Sequence, residues 1–319
     1  MNSSLLVNVD SISRRYGRLQ AITAISFVIN KGEVLGFLGP NGAGKSTTMQ
    51  IISGNLAPTD GHITIAGHDL LEHPRAAKAV IGYLPEHPPV YRDFTVDEYL
   101  NYCAALRNVP RKQRAITCAR AKERCGLQDV GRRLIGNLSR GFQQRVGLAQ
   151  AILHSPLVII LDEPTVGLDP IQIREIRALI REFGKDHGII LSTHILSEVQ
   201  AICDRVQIIN HGRLILSDTI AGLSRHLQQS SSLVVAFRSV PDLTALAQIP
   251  GVTLVTAIEN DRIRVTHTSD SGDPTDAIVK LATEKNWGLY AINAEHASLE
   301  EVFVALTKNE APSHTTPNP

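Results

Sequence analysis

The chain has 319 residues, of which 43% are hydrophobic and 20% charged, with a net charge of +1. That length holds one large domain or two medium ones, and the near-neutral charge argues against a nucleic-acid partner. The sequence opens without a basic segment leading into an apolar stretch, and no apolar run reaches bilayer-spanning length, so the reading is a soluble chain held at a membrane only through a partner.

Alternating apolar residues over Leu5–Val9 and Ala24–Ile29 predict two strands joined through a turn near Tyr16-Gly17. Glu33–Leu38 is a short β-like run, and Ile63–Ile65 a further strand after the turn signal Pro58-Thr59-Asp60-Gly61. Residues 94–155 read as helical, broken at Pro110, Gly126 and Gly136. Val158–Leu161 is a continuous apolar run of the buried parallel-strand kind. A helix over about 170–184, a strand at Ile189–Leu191, a short helix and a strand at Val206–Ile209 follow. Strand and helix alternate, which predicts an α/β fold with a parallel sheet. From about 220 the order becomes β-α-β-β-α-β. The elements are Leu233–Phe237, Asp242–Ala247, Val252–Ile258, Arg262–Thr266, Asp273–Lys285 and Leu289–Ile292. That order predicts a small α+β ferredoxin-like module over 220–308, closed by a helix at Ser298–Leu306, and 309–319 reads as a disordered tail.

Residues 39–47 read Gly-Pro-Asn-Gly-Ala-Gly-Lys-Ser-Thr between the strand and a helical pattern. This is a phosphate-binding loop in its required strand–loop–helix setting. Gly39, Gly42 and Gly44 let the backbone curl its N–H groups inward as an anion nest, with Asn41 and Thr47 in the same loop. Lys45 reaches the β- and γ-phosphates, and the Ser46 hydroxyl is a magnesium ligand. Asp162-Glu163 close the apolar strand at its carboxyl end. Asp162 reads as the metal holder, against the plainer reading of a turn aspartate before Pro164. Glu163 is the candidate catalytic base, beside the metal and within reach of the attacking water. His194 ends the next strand on the same edge, placed to hydrogen-bond the γ-phosphate. The four cysteines have no C-x-x-C spacing and read as reduced thiols of a cytosolic protein. The twelve histidines show no H-x-x-x-H clustering, so a metal site made of side chains alone is not expected.

Together these motifs, in order and spacing, resemble the ATP-binding subunits of ABC transporters from about residue 5 to 218. The resemblance implies a P-loop ATPase core over 1–219 with mixed sheet, N-terminal antiparallel strands and a helical subdomain at about 87–155. It implies ATP and Mg2+ as cofactors, Tyr16 stacking on adenine, and Gly167-Leu168-Asp169-Pro170 as the D-loop. Leu138-Ser139-Arg140-Gly141-Phe142 occupies the signature position, where Arg140 and Phe142 depart from the family's LSGGQ while Ser139 and Gly141 match. Glu86 stands where the family carries a glutamine and reads either as a metal-side contact coupling the membrane partner or as a loop carboxylate. Asp169 is equally a helix cap followed by proline at the first helical position. Ile81–Glu86, Ser192-Thr193-His194 and the ending Leu299–Phe303 narrow the resemblance to drug-export and gliding-motility types.

By that resemblance, Ser139 of one subunit completes the ATP site of a second, so the chain pairs with a copy of itself or a relative. The pair drives a separately encoded permease from the cytoplasmic face of the membrane, in the direction of export. From Arg107 to Arg145 eleven basic residues face two acidic ones, and from Asp242 to Glu310 eleven acids face five bases. The basic stretch reads as a contact for anionic headgroups or an acidic permease loop, or as a solvated helical face. The acidic module reads as a dimer or rate modulator, or as a passive cover. The competing function is a soluble ABC-type ATPase acting on ribosomes or DNA. A third is an ATP-dependent clamp with little hydrolysis.

Overall fold

A computed structural model describes residues 5–223, 230–258, 262–268 and 273–296. The expected helix at Ser298–Leu306, the Leu299–Phe303 ending and the tail at 309–319 lie outside them. The chain divides after Ile220 into two compact units.

The first unit opens with two long antiparallel strands, β1 (Leu5–Tyr16) and β2 (Leu19–Asn30). They join β4 (Asp60–Ile65) and β5 (His68–Asp69) in a sheet ordered β2-β1-β4-β5. Their inward residues, including Val7, Ile12, Ile22, Ile25 and Ile29, are buried, with the period-two alternation of β1 changing parity where its register with β2 shifts between Val9 and Ile12. The second sheet is mixed and has the order β10-β9-β3-β8-β7-β6. It comprises β3 (Val34–Leu38), β6 (Ile81–Leu84), β7 (Val158–Asp162), β8 (Gly188–Thr193), β9 (Arg205–Asn210) and β10 (Arg213–Thr219). All of its pairings are parallel except β9 with β10. Every residue of β3, β7 and β8 is buried, which is why these strands read as unbroken apolar runs. One core lies between the two sheets and includes Phe27 and Phe37, whose rings are 5.2 Å apart. Each such side chain contributes about 1.5–3 kcal/mol when fully buried.

Helix α1 (Lys45–Ile52) follows β3, and α2 (Pro74–Ala79) precedes β6. The helical region resolves into α3 (Val96–Leu106), α4 (Arg111–Arg124) and α5 (Arg140–Ile152), with 3₁₀ turns at Gln128–Val130 and Ile135–Asn137 where glycines interrupt it. Thr95 and Glu98 form a reciprocal capping box that starts α3 two residues later than the pattern predicts. Helix α6 (Pro170–Gly184) buries Ile176, Ile180 and Phe183, spaced along one face, and α7 (Leu196–Ile202) follows β8.

The second unit contains β11 (Ser230–Phe237), α8 (Leu243–Ala247), β12 (Val252–Ile258), β13 (Arg262–Thr268), α9 (Thr275–Glu284) and β14 (Leu289–His296). Its sheet is antiparallel throughout and ordered β12-β13-β11-β14. Its own core includes Leu233, Val235, Leu246, Val265, Ile278 and Trp287, with Phe237 edge-on to Trp287.

Candidate active site at the phosphate loop

The loop between β3 and α1 needs glycine for steric reasons visible in the backbone. Gly44 has φ of +106°, and a Cβ there would lie 2.7 Å from Ile22 Cγ2. At Gly39 a Cβ would lie 2.4 Å from the Ile209 carbonyl oxygen. The loop is therefore pressed against β2 on one side and β9 on the other. It borders a cleft of about 590 Å³ lined by Tyr16, Asn41, Gly42, Gly44, Lys45, Ser46, Thr47, Glu86, Glu163 and His194, and also by Leu19, Gln20, Ala21, Val166 and His211.

Lys45 is 5% exposed and its Nζ donates to the carbonyls of Gly39 (2.9 Å) and Pro40 (3.2 Å). The same nitrogen is 3.2 Å from Glu163 Oε1. The other carboxylate oxygen, Oε2, is 2.9 Å from His194 Nδ1. Glu163 is thus held at both oxygens, on a backbone at φ +48°, a left-handed conformation costing about 1–3 kcal/mol for a non-glycine residue. Its N–H offsets that strain by donating to the Ser192 carbonyl and to Ser192 Oγ at 3.0 Å.

Asp162 lies behind this pair. Its Oδ1 accepts from Ser192 Oγ and, at 3.4 Å, from Ser46 Oγ. Burial pushes its carboxyl pKa up, with the two serine hydroxyls pulling the other way. Burial, with the Asp162 charge nearby, also pushes the Tyr83 phenol up to about 12. Among the described residues no group of three or more His, Cys, Asp and Glu could hold a metal. The donors are instead a hydroxyl and a carboxylate oxygen facing an anion-binding loop. This hard-oxygen pair suits Mg2+, which keeps waters and takes remaining ligands from substrate phosphates. Glu86 lines the same cleft, with its side chain 42% exposed, one loop beyond β6.

Tyr16 borders the cleft at the end of β1, 43% exposed, with the Arg14 guanidinium 4.8 Å from its ring centroid. Ser139, Gly141 and Asp169 do not line the cleft. Ser139 caps α5 by accepting from the Phe142 N–H at 3.4 Å. Asp169 caps α6 by accepting from the N–H groups of Ile171 and Gln172 at 3.0 and 2.9 Å. The two helix starts touch: a Cβ on Gly141 would lie 2.6 Å from the Gln172 amide, and one on Gly167 would lie 2.3 Å from Arg140 Nη1. The signature segment and the Gly167–Asp169 loop therefore form one cluster, exposed at Ser139, Arg140, Gly167 and Asp169, separate from the residues lining the phosphate cleft. Two site residues went unread in the sequence. Ser192 is paired with Asp162 by the β7–β8 register, and His211 joins the cleft from the turn after β9.

A phosphate loop opening a helix beside a carboxylate-tipped parallel strand defines a P-loop nucleoside triphosphatase. Residues 22–166 match the ABC transporter family model. The chain is 36% identical over 209 residues to the ABC transporter ATP-binding protein YxlF of Bacillus subtilis, covering 66% of this chain and 69% of that protein. It is 37% identical over 214 residues to the bacitracin transport ATP-binding protein BcrA of Bacillus licheniformis, covering 66% and 69%. It is 29% identical over 305 residues to the linearmycin resistance ATP-binding protein LnrL of Bacillus subtilis, covering 95% and 98%. A solved ATP-binding subunit of an ABC transporter superposes with a TM-score of 0.63 at 31% identity, covering 69% of this chain and 92% of that one. The chain belongs to the ATP-binding subunits of ABC transporters, ATPases that power transport. The ribosome- or DNA-acting alternative is not favoured by these matches.

Proposed function

We propose that ATP binds with its phosphates in the Gly39–Thr47 loop and its base against Tyr16, and that Glu163 is the base for hydrolysis. The observation carrying this is the convergence of Lys45 and His194 on the two oxygens of Glu163, at 3.2 and 2.9 Å, within one cleft bordered by the Gly39–Thr47 loop. Lys45 is within reach of both the loop and Glu163, so a γ-phosphate competes with Glu163 for its ammonium. Release of that contact leaves Oε1 free to accept a proton from water, while His194, which lines the same cleft, holds Oε2. Ser46 and Asp162 would hold Mg2+, with Glu86 at its rim; the ion would neutralise charge on the phosphates. Excluding bulk water requires a second wall over the open cleft.

That wall is a second ATP-binding subunit. The signature cluster, with Ser139 and Asp169 exposed and Gly141 buried, presents a helix start and two capping oxygens suited to the far side of another subunit's nucleotide. Hydrolysis then opens the pair and drives a separately encoded permease at the cytoplasmic face. Among the described residues no helix is long and apolar enough to cross a membrane. Export is supported by relatives named for bacitracin transport and linearmycin resistance. The exposed Arg111 and Lys112 of α4 support contact with anionic headgroups or an acidic permease loop. Size-exclusion chromatography of Glu163→Gln tests the pairing: it should run as a dimer with ATP and Mg2+ and as a monomer without. A monomer under both conditions, alongside a wild-type chain that does not hydrolyse ATP, would sink the reading.

A further inference from the structure

Glu198, the third residue of α7, is completely buried. A carboxylate there needs specific partners, because burying an unpaired charge is costly. Its two oxygens are divided between two loops. Oε1 accepts from the Thr165 hydroxyl and lies 3.6 Å from Arg177 Nη2. Oε2 accepts from Thr193 Oγ1 at 2.7 Å, and that same Oγ1 accepts the Ile195 N–H at 3.0 Å. Thr165 and Thr193 are themselves buried. Thr165 lies two residues beyond Glu163, and Thr193 immediately precedes His194.

The parallel pairing of β7 with β8 ends at Asp162 opposite Ser192, followed by the Glu163 N–H to the Ser192 carbonyl. Past that point no strand pairing holds the two loops together. Beside the Glu163–His194 contact itself, the Glu198 carboxylate cross-links them, one oxygen to each. Arg177 touches only one of those oxygens, so charge pairing does not account for the second.

We propose that Glu198 is a positioning residue. By clamping Thr165 to Thr193 it sets the separation of Glu163 from His194, now 2.9 Å from Oε2 to Nδ1. Glu198 does not line the cleft, so it acts through those residues and not on nucleotide. The inference rests on the hydrolytic reading of Glu163 and His194.

The test uses the full chain and measures kcat, KM and ATP affinity. Glu198→Gln keeps the shape but converts one acceptor oxygen into a donor, so one threonine loses its acceptor. Its kcat should fall by about 10- to 100-fold, the scale of an ångström-level misplacement of a reacting group, with KM and ATP affinity within about threefold. Thr193→Val should reproduce the loss and Thr193→Ser, which keeps the hydroxyl, should recover it; this pair decides the matter if Glu198→Gln does not fold. The double variant Glu198→Gln with His194→Ala should be no slower than His194→Ala alone, because both act at one contact. A Glu198→Gln kcat within threefold of wild type, or losses that multiply in the double variant, would overturn the proposal while leaving the hydrolytic reading intact. If Glu163→Gln and His194→Ala both retain full turnover, the hydrolytic reading fails and this inference falls with it.

Discussion

Replacing Glu163 by Gln separates its three tasks: base, partner of Lys45 and partner of His194. The amide keeps the volume and one acceptor oxygen, which can hold Lys45, while its NH2 can only donate, so the His194 contact persists with Nδ1 as the acceptor. The gross attraction between unit charges 3.2 Å apart is about 5 kcal/mol at an effective dielectric near 20. Most of it is offset by the desolvation of the buried carboxylate that the substitution relieves. Lys45 keeps the Gly39 and Pro40 carbonyls, so the net stability change should stay within about 2 kcal/mol. Catalysis should respond far more. A positioned base is worth about 10²–10⁴ in rate, or about 2.7–5.5 kcal/mol of barrier. ATP affinity should hold or tighten, because Lys45 loses its charged competitor for the phosphate. The assay is steady-state phosphate release at pH 7.5, paired with ATP binding to the same preparation. Turnover within threefold of wild type would refute the assignment. So would a rate loss matched by an equal loss of ATP affinity, which would make Glu163 only an anchor for Lys45.

Gly44→Ala should abolish ATP binding and lower the unfolding midpoint, since the methyl meets Ile22 Cγ2 at 2.7 Å on a backbone at φ +106°; retained binding measured by calorimetry would contradict the packing argument. Ser139→Ala removes a 3.4 Å cap bond and should cost no more than about 0.5–1 kcal/mol of stability while reducing ATP-dependent dimerisation, read by light scattering. His154 is held at a pKa of about 4, chiefly by burial and further by the Arg107 charge, with Nε2 3.0 Å from the Ile81 carbonyl. The unfolded chain therefore takes up this proton first as pH falls below about 6.5, so stability is present above that value and is lost on the way to about 4. Between pH 7.5 and 5.0 this amounts to about 2 kcal/mol, and urea unfolding of His154→Gln should show a correspondingly smaller loss over that interval.

The parts of the site legible in the sequence were those whose chemistry is contiguous. The phosphate loop carries its glycines, lysine and serine within nine residues, and Asp162-Glu163 follow an apolar run that could only be a buried strand. Asp169-Pro170 announced a helix start, and α6 begins there. What escaped depends on register. Ser192 looks like any strand serine until β7–β8 pairing puts it opposite Asp162. Glu198 looks like a surface glutamate of a short helix until α7 turns it inward between two loops. The edge strands were missed for a related reason: β6 has four residues, and β10 is half-exposed with little alternation. Neither leaves a period long enough to read. Glu163 at positive φ leaves no composition signal at all.

Sheet order explains why the site closes on Glu163. In sequence the phosphate loop comes first, the carboxylates second and the histidine third. In space the strands that carry them lie in the order β3-β8-β7, with the histidine strand in the middle. Because the three strands are parallel, their carboxyl ends open on one edge, where ligands of such sheets bind. His194 therefore meets Glu163 across a single strand spacing, whereas Lys45 must reach over the end of β8 to arrive at the same carboxylate. A long, flexible side chain suits that span and a histidine suits the nearer one. A one-residue slip between β7 and β8 would turn Asp162 and Ser192 to opposite faces and part Glu163 from His194 together. The uninterrupted burial of β7 and β8, set by their apolar runs, guards the chemistry against that slip.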